Sequence, residues 1–341
     1  MPGLSAAAYP LWLSTLGWSD FFERQIEPSD LGFAPRRVAA VHRARLTALS
    51  ESGVTTLTLP AHATTGDLCV GDWVLADPKS EALHRRLMRK TVLERHTDGG
   101  RSPQLAAANI DTLFIVTSCN ADFNVARLER YLAFANQAGT SPVILLTKAD
   151  TVADAQAYQR AAEALQRGVP VVIVNPRSSD AAVALAEWCG VGQTVALVGS
   201  SGVGKSTLVN TLAGSAQETG SVREGDDKGR HTTTSRSIHA IAGGGWVIDT
   251  PGIRALQVSG AAEGIDTLFA EITELAPLCK FRDCTHAHEP GCAVRAAVAT
   301  GALDPKRLSR WRKLSQENRD NTSAPTRSPG GGASAGRARR R

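Results

Sequence analysis

Gly199-Ser200-Ser201-Gly202-Val203-Gly204-Lys205-Ser206 fits the pattern G-x-x-x-x-G-K-[ST]. Glycines at this spacing let successive backbone N–H groups turn toward phosphate oxygens, and a helix beginning just beyond offers its positive end to the same anion. Lys205 is spaced to reach β- and γ-phosphates and Ser206 to ligate Mg²⁺, so Gly199 to Thr207 form one candidate nucleotide-binding set. Downstream stands Asp249-Thr250-Pro251-Gly252. A carboxylate at a strand's end, here Asp249, can hold the water shell of Mg²⁺, and Gly252 can turn its N–H to a γ-phosphate. Upstream, Thr147-Lys148-Ala149-Asp150 resembles N-K-x-D, matching its Lys and Asp. Asp150 would accept from guanine N1 and N2, a donor pair that adenine lacks, while Lys148 packs along the base.

The order of these motifs is informative. A Ras-like chain reads phosphate loop, switch I, D-x-x-G and then N-K-x-D, whereas here the base-reading tetrad comes first. A sheet can keep its strands while the chain's starting point moves, so a permuted sequence assembles the same site. Gly229-Arg230-His231-Thr232-Thr233-Thr234 falls between the phosphate loop and Asp249, where switch I belongs. One of its threonines should complete the Mg²⁺ shell, with Thr233 the leading candidate. Ras-like enzymes orient the attacking water with a Gln just after D-x-x-G. That place is Ile253, which can neither donate nor accept. His231, able to accept a proton or orient water near neutral pH, is therefore the candidate catalytic residue beside Lys205.

A second chemistry follows at Cys279-x₄-Cys284-x-His286-x₅-Cys292. Three thiolates and one imidazole make a closed tetrahedral zinc set, structural because no position stays open. By spacing alone His288 is an alternative to His286. Cys69, Cys119 and Cys189 are scattered, so the six cysteines do not form a disulfide scaffold.

These groups need a frame. The chain has 341 residues, 42% hydrophobic and 21% charged, enough for two or three soluble domains. Apolar strands at Leu113–Thr117, Val143–Thr147, Val171–Asn175, Val195–Val198 and Trp246–Ile248 alternate with helical stretches at Val125–Ala138, Asp154–Arg167 and Ala181–Trp188, predicting a parallel sheet covered by helices on both faces. Ahead of it, Arg37–Leu49, Thr55–Leu59, Asp72–Ala76 and Thr91–Arg95 are short β-like runs with glycine turns, predicting a small β-barrel, with Lys79–Lys90 as a basic loop. Residues 1–35 form a leader whose Trp12, Leu13, Leu16, Trp18, Phe21 and Phe22 are suited to pack on a neighbouring domain. A helical segment is expected over Asp304–Glu317, and residues 321–341 read as a disordered tail. Lys and Arg (38) exceed Asp and Glu (33) by five, and the five arginines after Asp320 account for that excess, so whole-chain charge argues little for nucleic acid. With no apolar run long enough to span a bilayer and no signal-peptide pattern at the start, a cytoplasmic protein without membrane contact is expected.

Together the motifs resemble the circularly permuted, ribosome small-subunit-dependent GTPase A family, the RsgA or YjeQ type. The resemblance is carried by Ala107-Ala108-Asn109-Ile110-Asp111, Leu128-Glu129-Arg130-Tyr131-Leu132, the 147–150 tetrad, Gly199–Thr207, the 229–234 run, Asp249–Arg254 and the cysteine cluster, covering about residues 36–315. It implies an OB-fold barrel over 36–104, a permuted α/β P-loop GTPase domain over 105–276 and a small helical zinc-binding domain over 277–320. It further implies late maturation of the 30S subunit as the process, GTP and GDP with Mg²⁺ as ligands, rRNA as a contact and a monomer. It favours His286 as fourth zinc ligand and gives His231 a catalytic role. Two departures stand out: Thr147 replaces the usual Asn, and Val174-Asn175-Pro176-Arg177 occupies the place of a Ser-containing second base-contact loop.

An OB barrel commonly binds RNA through basic and aromatic side chains. Arg36, Arg37, Arg43, Arg45, Arg85, Arg86 and Arg89 supply charge but Trp73 is the sole aromatic over 36–100, which favours phosphate contact. Lys306, Arg310 and Lys313 recur at helical spacing as a second basic stripe. The competing reading is an RNA-binding OB/zinc adaptor whose nucleotide domain binds GTP with little turnover; a P-loop ATPase is disfavoured by Asp150.

Overall fold

The structure, a computed structural model, describes residues 9–42, 45–60, 64–95, 104–214, 236–249 and 258–323. Two short helices, α1 (Leu11–Thr15) and α2 (Asp20–Glu23), precede five strands: β1 (Ala34–Val41), β2 (Leu46–Ser50), β3 (Gly53–Leu57), β4 (Trp73–Ala76) and β5 (Leu83–Arg86). β1 pairs antiparallel with both β2 and β4, β2 continues to β3, and β4 continues to β5. Leu83 N donates to Thr58 O at 2.8 Å and Thr58 N to Glu81 O at 2.9 Å, which brings the two ends of this ribbon together. Val38, Leu46, Ala48, Leu57, Leu68, Val74 and Ala76 fill the interior. The single run expected over Arg37–Leu49 is thus a hairpin, and the basic stretch 79–90 is not a loop, because β5 passes through it.

The leader is a strap between this barrel and the sheet that follows. Leu13, Leu16, Trp18 and Phe22 are buried, and the Trp18 ring meets Trp73 edge-on at 4.9 Å. Trp246 Nε1 donates to Thr15 O at 2.7 Å. The guanidinium of Arg37, fully buried, donates to the carbonyl of Leu16 and to Thr194 Oγ1, the latter at 2.7 Å. Burial pulls the Arg37 pKa down to about 10.

A hairpin of β6 (Val92–Arg95) and β7 (Gln104–Ala108) leads into the second unit. There β8 (Thr112–Ser118), α3 (Val125–Gln137), β9 (Ser141–Thr147), α4 (Ala155–Glu163), β10 (Val171–Ile173), α5 (Asp180–Ala184), β11 (Thr194–Gly199), α6 (Lys205–Ala213), β12 (Ser237–Ala240) and β13 (Trp246–Asp249) follow in turn. The sheet order is β10-β9-β8-β11-β13-β12 and then β1. β10, β9, β8, β11 and β13 run parallel; the apolar residues of the central strands β8 and β11 are buried on both faces as helix-covered strands require, and those of the edge strand β10 are half-buried. β12 was not legible in the sequence. It runs antiparallel to β13 and meets β1 through Ala40 and Ser237, making barrel and second unit one continuous sheet.

α7 (Ala262–Leu268), α8 (Ala270–Leu275), α9 (Ala293–Ala299) and α10 (Pro305–Ser323) close the chain. α10 outruns the helix expected over 304–317 and takes in residues 321–323 of the expected tail; Asn321 Nδ2 donates to Val258 O at 2.9 Å. Residues 324–341 lie outside the described residues. Glu129 on α3, buried, accepts from Arg307 Nη1 at 3.0 Å and Arg310 Nε at 2.8 Å, and Arg130 pairs with Glu317 at 2.5 Å. The Leu128–Leu132 motif is therefore the seat of the C-terminal helix. Among the described residues, no helix is long and apolar enough to cross a membrane.

Candidate nucleotide site and metal centre

Parallel strands deliver their C-terminal ends to one edge of a sheet, and ligands bind where strand order reverses. Here the chain runs outward from β8 through β9 to β10, then returns to build β11, β13 and β12 on the other side. β11 lies at that reversal and ends in the phosphate loop. Gly199 has φ 143°, and a Cβ there would sit 2.2 Å from Val116 O; Gly204 has φ 102°, and a Cβ would sit 2.9 Å from Pro176 Cγ. Both glycines are thus required by the close approach of neighbouring backbone and by left-handed geometry. Gly204 also caps α6, which starts at Lys205 and carries Ser206 and Thr207 in its first turn. Lys205 Nζ donates to the carbonyls of Gly199 at 2.8 Å and Ser200 at 2.5 Å, holding the ammonium across the loop.

The tetrad at the end of β9 joins this loop directly. Thr147 is buried, and its hydroxyl lies 2.8 Å from Val203 O and 3.2 Å from Thr117 O, so it fastens the base-reading strand to the phosphate loop. A threonine hydroxyl thereby supplies a tether at the position where the motif usually has Asn. Lys148 adopts a left-handed conformation (φ 57°) and starts the short 3-10 turn Ala149–Thr151, leaving Asp150 exposed at the rim. Beyond β10, Pro176 packs against the loop and its carbonyl accepts from Thr211 Oγ1 of α6 at 2.6 Å. Asn175 Oδ1 accepts from Arg177 N at 3.1 Å, which commits that side chain to its own turn.

Asp249 ends β13 on the other flank of β11. Burial raises its pKa, opposed by the charges of His239 and Lys205. Its carboxylate makes no hydrogen bond among the described residues, so its acceptor oxygens, with the Ser206 hydroxyl, fit the water shell of Mg²⁺. His231, Thr232, Thr233, Thr234 and Gly252 lie outside the described residues. His239 and Ser237, beside Asp249, were missed by sequence reasoning; the only signal was a short S-x-H alternation ahead of a glycine turn.

The structure brings Cys279, Cys284, His286 and Cys292 together, with one ligand atom from each and all four within 4.8 Å of one another. Zn–S bonds of about 2.3 Å and a Zn–N bond of about 2.0 Å require, in a tetrahedron, S···S near 3.8 Å and S···N near 3.5 Å. Cys279 and Cys292 Sγ are 3.9 Å apart, and each is 3.5 Å from His286 Nδ1. These four residues fit zinc, and His286 rather than His288 is the imidazole. Burial opposes ionisation of Cys279, but the backbone N–H groups of Val294 and Ala293 outweigh it and hold the thiol below its ordinary pKa. Burial lowers the His286 pKa, keeping the ring neutral as a ligand must be.

The RsgA GTPase family model matches residues 86–259. A Small ribosomal subunit biogenesis GTPase RsgA of Mesorhizobium japonicum is 69% identical over 333 residues, spanning 96% of each chain. The chain belongs to the RsgA GTPase family. A second relative, Small ribosomal subunit biogenesis GTPase RsgA 2 of Vibrio vulnificus, is 44% identical over 93% of this chain and 91% of its own. The crystal structure of YjeQ from Thermotoga maritima superposes with TM-score 0.61 at 25% identity, covering 84% of this chain and 98% of that one. The structure of YloQ, described as a circularly permuted GTPase, shares the fold at TM-score 0.61 over 88% of this chain. This chain accordingly has the permuted GTPase fold, and GTP hydrolysis is its activity.

Several basic residues of the barrel are not available as a nucleic-acid surface. Arg36 pairs with Glu81 at 2.8 Å, Arg85 with Asp30 at 2.5 Å and Arg89 with Asp72 at 2.7 Å, while Arg37 is internal. Arg45 and Arg86 remain at the surface, and Arg43 lies outside the described residues. On α10, Arg310 is tied to Glu129, leaving Lys306 and Lys313 exposed.

Proposed function

We propose that this chain hydrolyses GTP to GDP and phosphate on the small (30S) ribosomal subunit during its late maturation, as a cytoplasmic monomer in contact with rRNA. The observation that carries the site assignment is the junction of β9 with the phosphate loop through Thr147 and Val203, with Asp249 across β11 beside Lys205. In this reading Asp150 accepts from the guanine edge, Lys148 packs along the base and Thr147 keeps both in register with the phosphates. Gly199 to Thr207 surround the phosphates with backbone N–H groups, and Gly252 adds one toward the γ-phosphate. The Lys205 ammonium exchanges its loop carbonyls for phosphate oxygens, where it offsets the charge that develops on them. Ser206, Thr233 and Asp249 would hold Mg²⁺, which supplies charge neutralisation between the β- and γ-phosphates when bound. His231 orients the attacking water, a task Ile253 cannot perform.

The ring of five strands over 34–86 supports reading the first unit as an OB-fold barrel, and the ligand tetrahedron supports one structural zinc in the C-terminal domain. Exposed Lys306 and Lys313, with Arg45 and Arg86 on the barrel, supply phosphate contacts for rRNA. The test is GTP turnover of wild type and His231→Ala with and without purified 30S subunits. Turnover is expected to be slow alone, accelerated by the subunit and lost in the variant with GTP and subunit binding intact. Undiminished stimulated turnover removes His231 from the mechanism; equal turnover with and without subunits in the wild type favours a binding adaptor.

A further inference from the structure

The imidazole of the Cys/His cluster is aimed by its backbone. His286 sits in the left-handed region (φ 58°), which a residue with a Cβ holds only where its surroundings impose it. Its Nδ1 is 3.5 Å from both Cys279 Sγ and Cys292 Sγ. As a metal ligand Nδ1 carries no proton, which leaves the N–H at Nε2. A ligating histidine ordinarily donates that N–H to a carboxylate or carbonyl that fixes the ring. Among the described residues the His286 Nε2 makes no hydrogen bond, and Trp311 packs against the ring at 5.4 Å between centroids.

The turn over residues 285–289 does the fixing instead. Glu289 Oε1 accepts from Thr285 N at 2.9 Å and from the Thr285 hydroxyl, and its Oε2 accepts from Ala287 N at 3.0 Å and His288 N at 3.1 Å. The N–H left over, that of His286, hydrogen-bonds to the Cys284 thiol. Both Glu289 oxygens thus face the backbone, and Glu289 is outside the set of four donors that meet. Arg295 Nη1 of α9 donates to Glu289 O at 3.4 Å, Lys280 N to Gly291 O at 3.0 Å, and Arg312 of α10 to the His286 carbonyl.

We propose that Glu289 is the positioning residue of the zinc centre, its carboxylate setting the backbone of residues 285–288 so that the His286 imidazole meets the three thiolates. The inference rests on the reading of the cluster as a zinc site. A carboxylate only accepts, and its two oxygens take about four donors, the number this turn supplies. An amide has one oxygen, and its NH₂ would oppose the N–H groups on the other side, so Gln can serve only part of the turn. Alanine serves none of it. The thiolates keep their own supports: Cys279 has the N–H groups of Val294 and Ala293, and Cys292 has Arg295 N at 3.4 Å. Loss of Glu289 therefore acts on one ligand, the imidazole. Groups that orient a ligand change metal affinity without touching the metal.

The test uses the full-length protein loaded with zinc, titrated with a competing chromogenic chelator, and the visible spectrum of the Co²⁺-substituted protein. Glu289→Ala should weaken zinc binding about a hundredfold and Glu289→Gln about tenfold, the two ends of the range for such outer groups. The Co²⁺ spectrum of Glu289→Ala should move toward that of His286→Ala, with the sulfur-to-metal bands retained. No zinc in the wild type, or unchanged zinc content in Cys284→Ser/Cys292→Ser, overturns the zinc reading and the proposal with it. Zinc bound by the wild type with unchanged affinity in Glu289→Ala overturns the positioning role alone. So does a fall in thermal stability of Glu289→Ala with wild-type chelator competition and a wild-type Co²⁺ spectrum. Where Glu289→Ala fails to fold, Glu289→Gln decides: wild-type competition and spectrum there overturn the role.

Discussion

The candidate zinc ligands all come from a stretch of fourteen residues, Cys279 to Cys292, and their donor atoms lie within 4.8 Å of one another. The nucleotide site is assembled from strand ends, and the bond that joins its two halves links Thr147 to Val203 across 56 positions of sequence. A local cluster needs only a metal to offset the entropy of closing a short loop. A site made of strand ends exists only when the whole sheet exists. Damage to the first should therefore stay local, and damage to the second should scale with how many strand ends it disconnects.

The largest effect is expected from removing the metal. Structural zinc contributes about 10–16 kcal/mol of apparent binding energy in small domains. A Cys284→Ser/Cys292→Ser double variant, or a strong chelator, should abolish zinc content and unfold the cluster region, while labelled GTP still binds. Loss of GTP binding at the same chelator concentration would break the contrast. Next comes Glu129→Ala, which leaves Arg307 and Arg310 without their shared carboxylate. Removing one partner of a buried ion network costs about 3–5 kcal/mol. The urea midpoint should fall while zinc content is retained, since all four ligands lie outside α10 and keep their own loop.

Asp150→Asn should weaken GTP binding roughly a hundredfold, about 3 kcal/mol, through two lost charge-assisted bonds to the base. Preference should shift to xanthine nucleotide, whose edge matches the amide; equal affinity of the wild type for ATP and GTP would overturn this assignment. The smallest effect is Thr147→Ala, which strips the buried Val203 carbonyl of its partner. Nucleotide affinity should fall by about 1–2 kcal/mol, and Thr147→Ser should restore it. A larger loss would mean that the tether carries more of the site's order than one hydrogen bond.

What could be read from the sequence follows the same division. The zinc set, the phosphate loop and the strand–helix alternation are local patterns, and each appears where its spacing indicates. Pairings between distant segments were not legible. Arg36, Arg85 and Arg89 look like a basic surface in sequence, yet each has an acidic partner from another turn or strand. Thr147 looks like a loss against Asn until Val203 is seen beside it. β12 has four residues and no strong apolar period, because its place is set by hydrogen bonds to β13 on one side and β1 on the other. The Asn109 motif gave no hint of its task, which is to bridge Lys90 N and Gly71 O where the barrel meets the sheet.

The position of β8 in the sheet has a consequence for synthesis. Its partner β9 follows closely in the chain, but its other partner, β11, pairs through Val195 opposite Thr112 and is made much later. A nascent chain that has reached Asp150 holds the guanine-reading half of the site beside an apolar strand edge whose partner β11 is not yet made. Such an edge is a template for unwanted pairing with other chains. Translational delay between Thr147 and Thr194, or truncation there, should therefore yield an aggregation-prone species even though every residue made so far is in its native order.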